Sequence, residues 1–260
     1  MSHHIVEAQD LHYTYPDGTV GLDGVSFRIS HGESVALVGE NGAGKSTLLL
    51  HLNGYLSPAK GAVRIGDSFL NQKNLNIIRR TVGMVFQNPD DQLFMPTVFE
   101  DVAFGPLNLG FSKVEVERKV AEALKTVGVE HLSKRPPYKL SQGEKRSVSI
   151  ATVLAMSPDI LVMDEPTSSL DPQARRRIIE LLKTFHHSKV IATHDLDMAL
   201  DLCERTIVIH RGKVVGDGPT QEIFQNEELL RSSCLEKPLR MQSCPICGTA
   251  EKKKHWKFFR

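Results

Sequence analysis

Apolar and polar residues alternate over Val25–Ile29 and over Ala62-Val63-Arg64-Ile65, the period-two pattern of strands with one buried and one wetted face. Ile5 to Tyr15 is also strand-like and ends at Pro16-Asp17-Gly18, where Pro presets φ and Gly relaxes it for a turn. These segments predict an antiparallel sheet near the N-terminus. Three other runs, Ser34–Val38, Ile160–Met163 and Lys189–Ala192, are short and almost wholly apolar, as strands of a parallel sheet covered on both faces are. Helical patterns alternate with them over Lys45–Leu52, Gln142–Ala155 and Gln173–Phe185, which predicts an α/β fold. From Asn88 to Ser157 the rhythm changes. In Lys113–Val127, residues Val116, Val120, Ala123, Leu124 and Val127 fall on one helical face, so this stretch is expected to be a helical subdomain inserted into the α/β core.

Composition adds bounds. The chain has 260 residues, 40% hydrophobic and 24% charged, enough to fill a core and against global disorder. No apolar run approaches the ~18 residues that cross a bilayer, and the polar, acidic start from Met1 to Asp10 does not read as a signal peptide. Four cysteines do not make a disulfide framework, which points to a reducing cytoplasm. The net charge of +1 conceals an uneven distribution. Residues 236–260 carry +5 and residues 1–235 carry −4, so the expected organisation is one main domain over 1–235 and a short basic tail over 236–260.

The candidate chemistry begins at Gly39-Glu40-Asn41-Gly42-Ala43-Gly44-Lys45-Ser46-Thr47, which matches G-x-x-x-x-G-K-[ST]. Glycines let successive N–H groups turn toward phosphate oxygens, and the helix that follows adds the positive end of its dipole. Lys45 is expected to reach the β- and γ-phosphates of ATP and Ser46 to ligate Mg²⁺. A second segment, Ile160-Leu161-Val162-Met163-Asp164-Glu165, ends an apolar strand in two carboxylates. Strand C-termini are where α/β sheets bind ligands. Asp164 is the candidate Mg²⁺ residue and Glu165 the candidate base that orients and polarises the attacking water.

With these elements in place, Leu140-Ser141-Gln142-Gly143-Glu144 resembles the LSGGQ signature of the ATP-binding cassette (ABC) ATPases, with Gln142 where Gly is usual and Glu144 where Gln is usual. The resemblance implies the P-loop ABC ATPase fold. It also implies a head-to-tail dimer, homo- or heteromeric, in which Ser141, Gln142, Gly143 and Glu144 cap the γ-phosphate held by the partner. By the same resemblance Gln87 is the Q-loop glutamine that contacts Mg²⁺ and water, Ser168-Ser169-Leu170-Asp171 is the D-loop, and His194 is the switch histidine. Tyr15 is the aromatic that stacks on adenine, and Tyr13 on the same strand face is its rival.

The 54 residues from Gln87 to Ser141 leave no room for the long coiled coil of DNA-repair relatives, and the single motif set excludes two-cassette translation factors. A transporter subunit is therefore expected, at the cytoplasmic face of the membrane and without a nucleic-acid partner. Gln87-Asn88-Pro89-Asp90-Asp91-Gln92-Leu93-Phe94 and Val102 to Gly110 resemble the energy-coupling factor (ECF) ATPases of the cobalt/nickel type. That likeness implies a transmembrane coupling protein and a substrate-binding membrane protein as partners, with Leu93, Phe94, Val98 and Phe99 as candidate anchors for coupling helices. A different ABC importer, or a soluble ABC ATPase acting on another complex, is the alternative. In the tail, Cys244-Pro245-Ile246-Cys247 supplies two of the four ligands that zinc requires, with Cys234 and His255 as possible others. The terminal mixture of Lys, Arg and aromatics suits an anionic lipid surface. Cys203 reads as packing.

Overall fold

The computed structural model describes residues 4–242. Strands β1 (His4–Thr14), β2 (Val20–Ser30), β4 (Lys60–Ile65) and β5 (Ser68–Phe69) form an antiparallel sheet in the order β2-β1-β4-β5. The second sheet runs β10-β9-β3-β8-β7-β6 and comprises β3 (Ser34–Val38), β6 (Val82–Val85), β7 (Ile160–Asp164), β8 (Ser188–Ala192), β9 (Arg205–His210) and β10 (Lys213–Pro219). All its pairs are parallel except β9 with β10. Every residue of β3, β6, β7 and β8 is buried, which is why these runs lack alternation. Strand β10 alternates exposed with half-buried residues at the sheet edge, whereas β9 beside it is buried over Thr206–Ile209.

Nine α-helices lie among the described residues: α1 (Lys45–Leu52), α2 (Leu75–Thr81), α3 (Val98–Asn108), α4 (Lys113–Val127), α5 (Gln142–Leu154), α6 (Pro172–Lys183), α7 (Leu196–Leu202), α8 (Thr220–Gln225) and α9 (Glu227–Ser232). Helix α4 shows how the sequence sets an element. Ser112 and Glu115 form a reciprocal capping box at its start, and Gly128 at φ 74 ends it in the left-handed conformation. Its five predicted core residues are all buried, and each contributes ~1.5–3 kcal/mol if a Val or Leu. Helices α3, α4 and α5, inserted in the chain between the paired strands β6 and β7, pack on one another.

Sheet order positions the chemistry. The C-terminal ends of β3, β8, β7 and β6 lie side by side, with Leu37 opposite Ala192, Ala192 opposite Asp164 and Met163 opposite Val85. Each strand end then releases a candidate residue: the glycine-rich loop after β3, His194 after β8, Glu165 after β7 and Gln87 after β6. No helix among the described residues is long and apolar enough to cross a membrane. Cys203 packs in the core, where burial pushes its thiol up to about 12. The candidate zinc residues Cys244 and Cys247, with the rest of the basic tail beyond Gln242, lie outside the described residues.

Candidate nucleotide site

The loop after β3 wraps the start of α1. Gly42 and Gly44 sit at φ 79 and 108, a region that side chains rarely enter. At Gly44 space is closed as well, since a Cβ would meet the Gly21 carbonyl oxygen at 2.4 Å. Helix α1 has no side-chain cap, so the free N–H groups of its first turn face the loop rather than a neighbouring side chain. The Lys45 ammonium is buried and donates to the carbonyls of Gly39 at 2.8 Å and Glu40 at 3.0 Å. Burial lowers its pKa, opposed by the carboxylates of Glu165, Asp164 and Glu40.

A cleft of about 450 Å³ opens over this loop, lined by Asn41, Gly42, Gly44, Lys45, Ser46 and Thr47 on one side and Gln87, Asp164 and Glu165 on the other. Gly39, Glu40 and Ala43 of the same loop do not line the cleft. Tyr15 lies at the cleft edge with its hydroxyl 2.9 Å from Thr47 Oγ1. Tyr13 instead packs on the core, edge-on to His51 with ring centres 4.9 Å apart. Tyr13 lies in β1 and Tyr15 just past its end, and only Tyr15 borders the cleft.

Asp164 and Glu165 differ in surroundings. Asp164 is buried beside the Ser46 hydroxyl, and its Oδ1 has no hydrogen-bond partner. Burial raises its pKa, held back by the Ser46 hydrogen bond. Glu165 adopts φ 48, a strained conformation for a side-chain-bearing residue. The bend is held by the Glu165 N–H donating to Ala192 O at 2.8 Å. The turn delivers Glu165 Oε2 to Thr193 Oγ1 and His194 N, both at 3.2 Å, and to His194 Nδ1 at 2.8 Å. The His194 ring itself is 64% exposed and lines a neighbouring pocket with Ser168, Ser169 and Asp195, not the cleft itself.

Residues 141–144 do not reach this cleft. Ser141 caps α5: its hydroxyl accepts from Glu144 N at 3.3 Å while Glu144 Oε2 accepts from Ser141 N at 2.8 Å. Gly143 lies against α6, where an added Cβ would stand 3.2 Å from Ala174 Cβ. Asp171 also caps a helix, accepting from Gln173 N and Ala174 N at 2.9 Å. The candidate coupling anchors divide as well. Leu93 and Val98 are buried inside the helical layer and Phe99 is half-buried against it, so they are packing residues. Phe94 is 63% exposed and stacks edge-on against exposed Phe104, 5.1 Å away, with exposed Leu107 one turn further along α3.

Two residues of this region carry no motif signal. Arg146 of α5 is fully buried and donates to the Phe86 carbonyl at 2.7 Å and to the Gln87 carbonyl, which fastens the Gln87 segment to the helix after Ser141. Arg175 of α6 makes a bidentate pair with Asp195 at 2.6 and 2.8 Å, bracing the turn next to His194. A buried Arg on an amphipathic helix is a signal only once its partners are known.

A glycine cradle at a helix start, a buried lysine and paired carboxylates at strand ends define a P-loop nucleotide-binding protein. Residues 22–168 match the family model described as ABC transporter, and the chain belongs to that family. It is 67% identical over 248 residues to a putative ABC transporter ATP-binding protein of Geobacter sulfurreducens, covering 95% of this chain and 100% of that one. It is 48% identical over 240 residues to an energy-coupling factor transporter ATP-binding protein, EcfA, of Methanocaldococcus jannaschii, covering 90% and 86%. Among solved structures it resembles cbiO1 of Clostridium perfringens, part of the ABC transporter complex cbiONQ, with TM-score 0.77, 39% identity and coverage of 88% and 94%. It also resembles a dimeric ATP-binding cassette in a post-hydrolysis state bound to ADP and Pi, with TM-score 0.75, 30% identity and coverage of 83% and 98%. The chain is thus an ATP-hydrolysing subunit of an ABC transporter, with energy-coupling factor ATPases among its relatives.

Proposed function

We propose that the chain is one of two ATPase subunits of an ECF-type importer at the cytoplasmic face of the membrane, energising uptake of cobalt or nickel ions. The observation that carries the ATPase part is the cleft that unites Tyr15, Lys45, Ser46, Gln87, Asp164 and Glu165 but lacks residues 141–144. Half a site in each chain calls for a second chain, a copy or a close relative, whose signature turn completes it.

ATP stacks its base on Tyr15 and lays its phosphates on the N–H groups of residues 41–47. Lys45 leaves the two loop carbonyls and pairs with the β- and γ-phosphates. Asp164 Oδ1, buried without a partner beside Ser46, makes an all-oxygen donor set with Gln87 that suits Mg²⁺. These three residues would hold that ion, which, when bound, offsets phosphate charge. Glu165 orients a water molecule and takes its proton as the water oxygen attacks the γ-phosphorus. The bond to the β-phosphate oxygen breaks, and ADP and phosphate leave. His194, hydrogen-bonded to Glu165, reaches the γ-phosphate from the strand beside it. The Ser141 hydroxyl and the Gly143 N–H of the partner subunit point at the same oxygens.

Import of a metal ion is favoured by the likeness to cbiO1 and by the ECF-like segments at 87–94 and 102–110. The exposed pair Phe94 and Phe104 supplies an apolar contact for a coupling helix. The test is purification of the complex from detergent-solubilised membranes, reconstitution, and uptake of labelled Co²⁺, Ni²⁺ and vitamins. ATP-dependent Co²⁺ or Ni²⁺ uptake is the expected result. Uptake of a vitamin instead would reassign the cargo, and co-purification with soluble proteins alone would refute transport.

A further inference from the structure

Behind the nucleotide cleft, side chains from three separate segments converge. Glu40 lies in the phosphate loop, His210 ends β9, and Cys234 follows α9. Their ligand atoms, a carboxylate oxygen, a ring nitrogen and a sulfur, all lie within 4.8 Å of one another. His210 Nδ1 stands 3.1 Å from Glu40 Oε1, but the two are not aligned as a hydrogen bond, and Nδ1 is buried without a partner.

Backbone geometry builds this convergence. A Cβ on Gly39 would meet the Ile209 carbonyl oxygen at 2.1 Å, so only glycine lets the end of β9 lie against the start of the loop. Gly212 N donates to Ala43 O at 2.9 Å and fastens the turn after His210. Cys234 sits at φ 56, set by its N–H donating to Arg231 O at 3.1 Å and by Leu235 N donating to Leu230 O at 2.8 Å. The trio is therefore held by three backbone anchors.

We propose that Glu40, His210 and Cys234 form a binding site for a borderline divalent transition metal of the zinc class. Nitrogen and sulfur donors together select such ions over Mg²⁺ and Ca²⁺. Three protein ligands with a fourth position open to water is an ordinary zinc arrangement. Zinc–ligand lengths of about 2.0–2.3 Å put tetrahedral ligands roughly 3.3–3.8 Å apart, and rotation of the exposed Cys234 side chain closes the remaining gap. On binding, the thiol releases its proton to solvent and the thiolate becomes the ligand. The metal would cross-link the segment after α9 to the first turn of the phosphate loop, at a place distinct from the Mg²⁺ residues and independent of the cargo.

The test titrates Co²⁺ into the full, reduced chain under anaerobic conditions and follows thiolate-to-cobalt absorption, with Zn²⁺ as competitor. One equivalent with a charge-transfer band, displaced by Zn²⁺, is expected. The band should persist in the full chain carrying Cys244→Ser and Cys247→Ser and disappear in Cys234→Ser. In His210→Ala, affinity should fall by about tenfold or more. Retained ATP binding in the Cys234 and His210 variants shows that they fold. Absence of the band, its survival in Cys234→Ser, its loss with the two tail cysteines, or indifference to His210→Ala each overturns the proposal.

Discussion

Two helix starts in this chain carry glycine-containing motifs, and they are built in opposite ways. At α1 the preceding residue is Gly44, no side chain caps the helix, and the first residue, Lys45, is buried. At α5 the preceding residue is Ser141, a reciprocal capping box closes the first turn, and the turn faces solvent. Uncapped N–H groups inside a cleft ask for an anion. A capped turn on the surface is stable alone and presents its remaining donors outward. The contrast separates a nucleotide cradle that one chain supplies from a lid that, on the proposed dimer, a second chain supplies.

That contrast can be broken by substitution. The largest effect is expected for Glu165→Gln, which removes the base and should slow hydrolysis by ~10²–10⁴-fold. ATP binding should survive, and gel filtration with ATP should show a lasting dimer. A wild-type rate would dismiss Glu165 as base. Next is Gly143→Asp, which places a carboxylate on the turn at α5. Turnover should fall by ~10²–10³-fold, the scale for losing an oxyanion donor, while the isolated chain binds a fluorescent ATP analogue as before. Weakened binding by the monomer would show that the turn acts in cis and erase the distinction. Third, Lys45→Ala should weaken ATP binding by about 10–150-fold, equivalent to ~1.5–3 kcal/mol for hydrogen bonds to a charged group, as read by calorimetry.

The smallest effect sharpens the capped side of the comparison. Hydrogen bonds from Ser141 hold the Glu144 carboxyl below its ordinary value of 4.5. A lowered folded-state pKa stabilises the chain above the unfolded value, and that contribution disappears as pH falls through the folded one. Thermal melts should therefore show a small wild-type loss below about pH 4.5 that Glu144→Gln lacks. At pH 7 the variant should melt slightly lower, by ~0.5–1 kcal/mol for a weakened cap. Identical acid profiles would mean the carboxylate does not support the turn.

The phosphate loop, the Asp164–Glu165 strand end and the α4 stripe were legible because each is written in contiguous residues with a fixed period or spacing. Strand burial was legible for the same reason in β3, β7 and β8, whereas β10 at the sheet edge alternates exposed with half-buried residues. What could not be read was the partner of a side chain. Leu93 and Phe94 are adjacent, equally apolar and oppositely placed, because the turn held by Asp101 accepting from Phe94 N and Met95 N sends one inward and one out. Tyr13 and Tyr15 are both half-buried and differ by neighbour, Tyr13 against His51 and Tyr15 beside Thr47 at the cleft. Arg146 and Cys234 acquire meaning only through residues far along the chain, at Phe86 and Glu40.

Arg146 has a mechanical consequence. One guanidinium grips two successive carbonyls, at Phe86 and Gln87, and its own backbone belongs to the helix that begins at the signature turn. Any tilt of that helix tows Gln87 with it. The side chain is a tie-rod between the Gln87 segment that lines the nucleotide cleft and the helix that carries the signature turn. Cut to the length of alanine, it would let the Gln87 segment and that helix move apart.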